Sequence, residues 1–488
     1  MTDLLLAPRP SPRPLHWPAI VYTLQRILAD DPQEIYLVGG VVRDAFWGLP
    51  AHDIDLVAAQ DAFRIARRIA NALNGAFYRL DPERETGRAL VQAEGQQVIV
   101  DVANFRGGSL LDDLTGRDFT LNAAAAPLRA IGDDVIDPLQ GLHDAQNRLL
   151  RRCSPHAIAS DPVRALRAIR LSVRFRLHIE PETLADIRRE GPGLTRVSPE
   201  RVRDEFMALL GGQRPAAALR SLDTLGLLRL VIPEVEALRG ASCPSALPAD
   251  AWTHTLQIID RLEAILQTIS PARTDSTAAQ VGLGMIVYYL DRFRAALQEH
   301  LRQQWPNERA HAALLMLAAL LLASPAEAVA MRGEALRLSR HEIERLQAVV
   351  RCTWWPDQLA AQPAITRREI YRFWRDCGPA GVDACLLGLA SYLAAAGPTL
   401  ATADWSHYLE SISVLLEGYF PPDGTPRITD LPTLVTGRDL MRRLGLQAGP
   451  EVGDLLEQIR EAQAAGEIST TPEALTLARQ IRANKQPR

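Results

Sequence analysis

Two kinds of periodicity divide the chain. Between residue 35 and about residue 150, short β-favouring runs alternate with amphipathic helical stretches: IYLV from Ile35, DIDLV from Asp53, a helical DAFRIARRIANAL from Asp61, then RALVQAE and QQVIVDVANF. The last two are joined by the short turn Glu94-Gly95-Gln96 and read as an antiparallel pair. A proline-rich arm and a short helix over 20–29 precede them. Beyond Leu150 the alternating pattern almost vanishes, and helical periodicity in Ala, Leu, Arg and Glu runs to the end, broken at Gly211-Gly212, at 241–244 and around 418–432. No fixed-period repeat is visible. The pattern predicts an α+β protein, with a small mixed α/β head containing antiparallel strands and an elongated all-helical neck, body and tail. The boundaries fall at 1–33 (arm and helix), 34–150 (head), 151–215 (neck), 216–355 (body) and 356–488 (tail).

Composition narrows the chemistry. Of 54 Lys plus Arg, one alone is lysine, Lys485. A phosphate loop ending in Gly-Lys-Ser, a lysine Schiff base and a kinase strand lysine are therefore excluded, and anion recognition falls to guanidinium forks or backbone amides. A net charge of −4 argues against a uniformly basic nucleic-acid binder. It conceals a local excess, because 151–215 holds 13 arginines against 8 acids. The five cysteines, Cys153, Cys243, Cys352, Cys377 and Cys385, are widely spaced and suggest neither a disulfide framework nor a zinc site, as expected in a reducing cytosol. The longest uninterrupted apolar run, 312–323, is twelve residues against the about 20 that a membrane span needs. The opening segment is broken by five prolines and carries no signal-sequence pattern. These features predict a soluble, cytoplasmic protein.

Asp53 and Asp55 stand two apart in a strand-like run, so both carboxylates share one face, roughly 6 to 7 Å apart at the backbone. Such a pair suits divalent-metal nucleotidyl transfer, in which two Mg²⁺ ions about 4 Å apart activate a hydroxyl and hold a triphosphate. Upstream, Gly39-Gly40 follows an apolar strand and opens a helix, where backbone N–H groups can approach an anion, and Arg43 lies one turn in. On the neighbouring strand, Asp101 interrupts QVIVDVANF, a costly position unless something coordinates it.

The segment GGVVRDAFWGLPAHDIDLV resembles the signature of the class II tRNA nucleotidyltransferase (CCA-adding enzyme) and poly(A) polymerase head, in the polymerase-β-like nucleotidyltransferase superfamily. The resemblance implies that Asp53 and Asp55 hold catalytic Mg²⁺, that Gly39, Gly40 and Arg43 meet the incoming triphosphate, and that Asp101 is the base or an auxiliary metal ligand. GSLLDDLTGRDFTLNAAAAPL is similar to the family's ribose-recognising segment, with Arg117, Asp118 and Asn122 matching and Thr115-Gly116 replacing the arginines that precede them. Arg117 is carried over as a nucleotide contact, and Asp118 and Asn122 pair as a helix begins. VIDPLQGLHDAQNRLLR is similar to the hinge segment between head and helices.

In SDPVRALRAIRLSVRF, Asp161, Arg164, Arg167 and Arg170 recur every three residues and form a slowly turning stripe. Three arginines in seven residues repel one another unless an anion lies nearby. The segment resembles the family's Glu-Asp-x-x-Arg motif, which implies that Asp161 and Arg164 read the base of CTP or ATP without a template, with Arg167 and Arg170 as further nucleotide contacts. Ser160 stands where the motif has glutamate, as a helix N-cap. In VSPERVRDEFMALL, Arg201 and Glu205 are spaced to pair along one helix.

Some relatives carry a His…His-Asp phosphohydrolase site in the body. Here His254 has no later His-Asp partner, so the body reads as a degenerate remnant. His311 and His341 read as helix-surface residues, and Trp354, Trp355, Tyr371 and Trp374 as core. The segment from Leu434 resembles the tail of bacterial CCA-adding enzymes, which implies a grip on tRNA. The expectation is an Mg²⁺-dependent enzyme that adds CTP and ATP to the 3′ end of tRNA. Poly(A) polymerase and CC-only or A-only activity are alternatives within the class, and a non-catalytic RNA-binding protein is one from outside it. The loop around 81–88 carries no feature that separates CC-only from complete addition.

Overall fold

In the computed structural model, the described residues are 6–51, 53–82, 85–242, 250–271, 273, 280–422 and 424–485. Cys243 and Pro244 of the break at 241–244, and part of the 81–88 loop, lie outside them. The chain forms two compact units, 1–205 with 221–230, and 206–220 with 231–488.

In the first unit, helix α1 (Ala19–Ile27) leads into β1 (Ile35–Val38), α2 (Gly40–Trp47), β2 (Asp53–Ala58), α3 (Ala62–Ala72), β3 (Ala76–Asp81), β4 (Thr86–Ala93), β5 (Gln96–Asn104), α4 (Leu110–Thr115) and β6 (Ala125–Pro127). The six strands make one mixed sheet in the order β3-β4-β5-β2-β1-β6. β4 and β5 form the expected hairpin, closed by Glu94 and Gly95, both at positive φ, as a two-residue turn requires. β2 and β5 are parallel, and β1 is antiparallel to β2. Alternation along β2 buries Ile54 and Leu56 on one side, with Val100 and Val102 of β5 beside them, and turns Asp53 and Asp55 to the other. β3 was not visible in the sequence pattern, because it is an edge strand whose residues stay mostly exposed. The arm is tied down through Arg9–Pro10, which pairs with Asp134–Val135, and through Trp17, whose Nε1 donates to the Gly132 carbonyl at 3.0 Å.

After the sheet come α5 (Gly141–Gln146), α6 (Arg164–Phe175), α7 (Pro181–Glu190) and α8 (Pro199–Leu210). Gly141 is required where it stands, since a Cβ there would lie 1.8 Å from the Thr120 carbonyl oxygen.

The second unit is helical. Its centre is α9 (Ala251–Ile269) against α10 (Ala380–Ala396), a helix buried on nearly every side. The segment Ala380–Thr399 is the one apolar stretch among the described residues long enough to cross a membrane, and 78% of its apolar 18-residue window is buried inside the protein. Asp383 and the glycines within it break the uninterrupted apolar run that a simple sequence criterion seeks. Trp374 and Tyr371 are core, and the Trp374 ring stacks on Tyr419 at 4.4 Å. Trp354 is an exception to the expected core placement, at 46% exposed. Val435, Leu440, Leu455, Ile459 and Leu475 pack the last three helices together.

Candidate active site

The sheet register sets a row of polar side chains. Asp55 of β2 lies directly opposite Asp101 of β5, and Asp101 opposite Arg88 of β4. Asp53 sits at the exposed start of β2 on the same face. Burial pushes the Asp55 carboxyl up to about 6, Asp101 and Asp53 add to the effect, and Arg117 and Arg106 oppose it. A buried carboxylate beside two others, all offering oxygen donors only, fits a hard divalent cation.

Asp101 differs from its neighbours in being already paired. Arg88 donates from Nε and Nη2 to its two oxygens at 2.8 and 2.9 Å. That arrangement accounts for a carboxylate in an apolar strand, and it was readable from the hairpin, since counting back from the Glu94-Gly95 turn places Arg88 across from Asp101.

Gly39 has φ +77°, and a Cβ on it would lie 3.0 Å from Asp55 Oδ2 and 3.1 Å from Arg117 Nη1. Only glycine lets the turn, the carboxylate and the guanidinium approach this closely. Gly40 then opens α2. Arg117 is fixed by Asp113, whose Oδ2 accepts from Nε and Nη2 at 3.0 and 2.9 Å. A cleft of about 170 Å³ opens beside Asp55 and Asp101 and is lined further by Thr86, Asn104, Arg106 and Arg117. Arg106 and Asp113 escaped the sequence reading. The i,i+4 spacing of Asp113 and Arg117 was the available signal.

Arg43 is engaged within the protein. It is 6% exposed, its Nε donates to Asp44 at 2.9 Å and its Nη1 to Asn122 Oδ1 at 2.7 Å, and its guanidinium lies 4.7 Å from the Phe175 ring centre. These bonds tie α2 to the turn that holds Asn122. Asn122 passes the tie on, donating to Asp118 Oδ1 at 3.1 Å, although through a 3₁₀ turn over Thr120–Asn122 and not the start of an α-helix. Burial acts to raise the Asp118 carboxyl, but Arg167, the Phe119 N–H and Asn122 outweigh it and hold the group below its ordinary value.

The arginine stripe is paired from within the protein. Glu205 of α8 accepts from Arg167 Nε at 2.7 Å and Arg170 Nε at 2.9 Å, and Arg167 Nη1 reaches Asp118 at 3.2 Å. Glu205 thus does not pair with Arg201. Arg201 instead donates to Asp161 Oδ2 at 2.7 Å. The tertiary approach of α8 to α6 overrides the local i,i+4 spacing. Arg164, the first residue of α6, donates to the carbonyls of Arg117, Ala157 and Gly116 at 3.2, 3.0 and 3.0 Å. Ser160 is no N-cap: it ends the short helix Ala157–Ser160, with its hydroxyl on the Ala157 carbonyl, and Asp161 follows as the C-cap.

A second polar cluster occupies the other unit. Asp383 Oδ1 accepts from His300 Nε2 at 2.8 Å and His311 Nε2 at 2.7 Å, and Oδ2 accepts from Arg345 at 2.9 Å. His311 is 1% exposed, so the surface placement read from sequence is wrong, while His341 is exposed as expected. The three residues have the composition of a metal site. However, Trp305 Nε1, which can only donate, bonds His311 Nδ1 at 3.2 Å. That bond places the imidazole proton on Nε2, directed at Asp383, where a metal would need a lone pair. The geometry is that of a hydrogen-bonded hub.

A mixed sheet bearing a carboxylate row behind a glycine turn, followed by helices, is the architecture of a nucleotidyltransferase. Residues 35–151 match the "Poly A polymerase head domain", 176–238 the "Probable RNA and SrmB- binding site of polymerase A" and 425–478 "tRNA nucleotidyltransferase domain 2". The chain is 30% identical over 441 residues to the CC-adding tRNA nucleotidyltransferase of Geobacter sulfurreducens, covering 90% of each. It is also 30% identical over 461 residues to the A-adding tRNA nucleotidyltransferase of Deinococcus radiodurans, covering 91% of this chain and 94% of that one. Its fold is similar to that of a CCA-adding enzyme in complex with ATP (TM-score 0.64, 18% identity, 96% and 95% covered). The Thermotoga maritima CCA-adding enzyme complexed with tRNA is a further match (TM-score 0.59, 19% identity, 95% of each covered). The chain belongs to the tRNA nucleotidyltransferase and poly(A) polymerase family, and it is a nucleotidyltransferase enzyme.

Proposed function

We propose that this enzyme adds nucleotides from CTP and ATP to the 3′ end of tRNA, without a template, to build or repair the CCA terminus in the cytoplasm. The observation that carries the reading is the Asp53–Asp55–Asp101 row facing the Gly39 turn, in a chain whose relatives over nine-tenths of its length are tRNA nucleotidyltransferases. Enzymes of this family use divalent cations, and Asp53 and Asp55 are the residues to hold Mg²⁺. When bound, that cation activates the terminal 3′-hydroxyl and steadies the triphosphate. The amides at Gly39 and Gly40 and the start of α2 face the triphosphate, and Arg117, held by Asp113, stands beside them. Arg43 acts behind this surface, positioning α2 through Asn122.

Asp161 and Arg164 read the base. With Oδ2 of Asp161 occupied by Arg201, Oδ1 is the oxygen to accept from the exocyclic amine that C and A share and that U and G lack at that position. Arg167 and Arg170, clamped by Glu205, line the same helix. On this reading 34–150 is the catalytic head, 151–215 the base-recognising neck, 216–355 a body derived from the phosphohydrolase fold, and 356–488 the part that grips tRNA.

The test supplies tRNA lacking CCA with Mg²⁺ and each labelled nucleotide singly and in pairs. Complete addition from CTP and ATP together is expected. Two relatives are named for CC addition and A addition alone, so a product ending at CC, or a single A added only to tRNA ending in CC, identifies the partial activity instead. Long tails from ATP alone would overturn the tRNA reading, and no incorporation under any condition would favour a non-catalytic RNA-binding scaffold.

A further inference from the structure

On the reading that Asp53 and Asp55 hold the cation, we infer that Arg88 is a positioning residue that neutralises Asp101 and so keeps the site from trapping a divalent cation before a nucleotide arrives. The strand register puts Arg88, Asp101 and Asp55 side by side on three neighbouring strands, so their side chains leave the sheet on one face. Both Asp101 oxygens are engaged by the Arg88 fork, at 2.8 and 2.9 Å, with the pair only partly open to solvent, at 36% and 24% side-chain exposure. A bidentate guanidinium holds a carboxylate in one orientation and takes up its charge.

The effect on the rest of the row follows from charge. Three unpaired carboxylates on one face of two neighbouring strands form a strong trap for a divalent cation. With Arg88 in place, the uncompensated charge reduces to Asp53 and Asp55, and Arg117 lies against the latter. Net attraction for a bare cation is then modest. A nucleoside triphosphate brings further negative oxygens to the same cleft, so cation and nucleotide bind best together. Arg88 makes metal occupancy depend on the presence of substrate.

The inference is tested on the full-length protein by titrating Mn²⁺, without nucleotide, and following free Mn²⁺ by electron paramagnetic resonance. Arg88→Met should tighten nucleotide-free Mn²⁺ binding about tenfold, the size expected for removing one positive charge at short range in a half-exposed site. Asp101→Asn should weaken it by a similar factor, because one negative charge leaves the row. The Arg88→Met/Asp101→Asn double variant should return to within about twofold of wild type, and Arg88→Lys, which keeps the charge, should match wild type. Arg88→Gln, checked by circular dichroism, serves if the Met variant does not fold. Unchanged or weaker Mn²⁺ binding in both Arg88→Met and Arg88→Gln, with Asp53→Ala losing the ion, would overturn the role of Arg88 while leaving the metal assignment standing. Wild-type binding in Asp53→Ala would overturn the metal assignment itself.

Discussion

Asp55 and Asp383 are both carboxylates sheltered from water, and they stand at opposite extremes. Burial and two neighbouring carboxylates push Asp55 up to about 6. Burial acts in the same direction on Asp383, but His300 and His311 outweigh it and hold that carboxyl well below the ordinary range. The difference lies in what surrounds each. Asp383 accepts from His300, His311 and Arg345, all donors of its own unit. Asp55 faces Asp101 across one strand spacing and Asp53 along its own strand, with Arg117 as the principal opposing charge. A buried charge whose needs are met internally serves the fold, whereas one left short of partners is poised for something that arrives from outside.

The largest expected effect breaks the first half of this comparison. Asp53→Ala should lower nucleotide incorporation by about a thousandfold, since metal stabilisation of the transition state is worth several kcal/mol. Binding of tRNA, measured by fluorescence anisotropy, should be unchanged. Incorporation within tenfold of wild type would remove Asp53 from the metal site.

The second half is broken by Asp383→Ala. Removing the hub carboxylate strands Arg345, and loss of one partner of a buried ion pair costs about 3 to 5 kcal/mol. Urea unfolding should show that loss. The hub also makes a statement about metals: Zn²⁺ should shift the melting temperature of wild type and Asp383→Asn alike. A Zn²⁺-dependent rise seen in wild type and absent from Asp383→Asn would make the cluster a metal centre after all.

The two carboxylates also predict opposite slopes with pH. Asp55 has a folded-state value above its unfolded one, so the folded protein holds that proton more tightly and the group withdraws stability as pH rises from about 4 through about 6. Asp383 has a folded-state value below its unfolded one, so its contribution is fully present above about pH 4 and is lost as pH falls further. Denaturant midpoints of the metal-free protein measured across pH 3 to 8 should therefore flatten between about 4 and 6 in Asp55→Asn, and flatten below about 4 in Asp383→Asn. An unaltered profile in Asp55→Asn would mean that the row is neutralised without a cation.

The same contrast governs what the sequence made legible. Asp53 and Asp55 were identifiable because strand alternation is a local rule and the β2 run obeys it. The mixed head and the helical remainder followed from periodicity in the same way. What stayed hidden depends on partners remote in sequence. His311 sits in an apolar helix, and its burial is decided by Trp305, His300 and Asp383. The edge strand β3 has a polar, exposed surface with no pattern to follow. Arg43 matched a motif, and its bonds to Asn122 and Asp44 depend on the fold and were not legible. The arginine stripe was visible as an electrostatic problem, and the solution, Glu205, lies about 40 residues further along the chain.

That solution yields the smallest effect expected, and it tests whether an internally satisfied cluster can still serve the active site. Glu205 is 9% exposed and clamps Arg167 and Arg170, while Arg167 keeps a second acceptor in Asp118. Glu205→Gln keeps the shape of the clamp and removes its charge. The arginines are partly exposed, so the stability cost should be about 1 kcal/mol or less. The consequence for function is looser aim. Arg167 and Arg170 repel once the intervening negative charge is gone, and α6 carries Arg164 at its start and Asp161 just before it. In competition between CTP and UTP on tRNA lacking CCA, misincorporation of UTP should rise about fivefold, the factor that about 1 kcal/mol of lost discrimination produces. If discrimination is unchanged while stability falls, Glu205 belongs with Asp383 as a structural hub. If discrimination falls and stability holds, the clamp belongs to base recognition, and the boundary between the two kinds of buried charge runs through the arginine stripe itself.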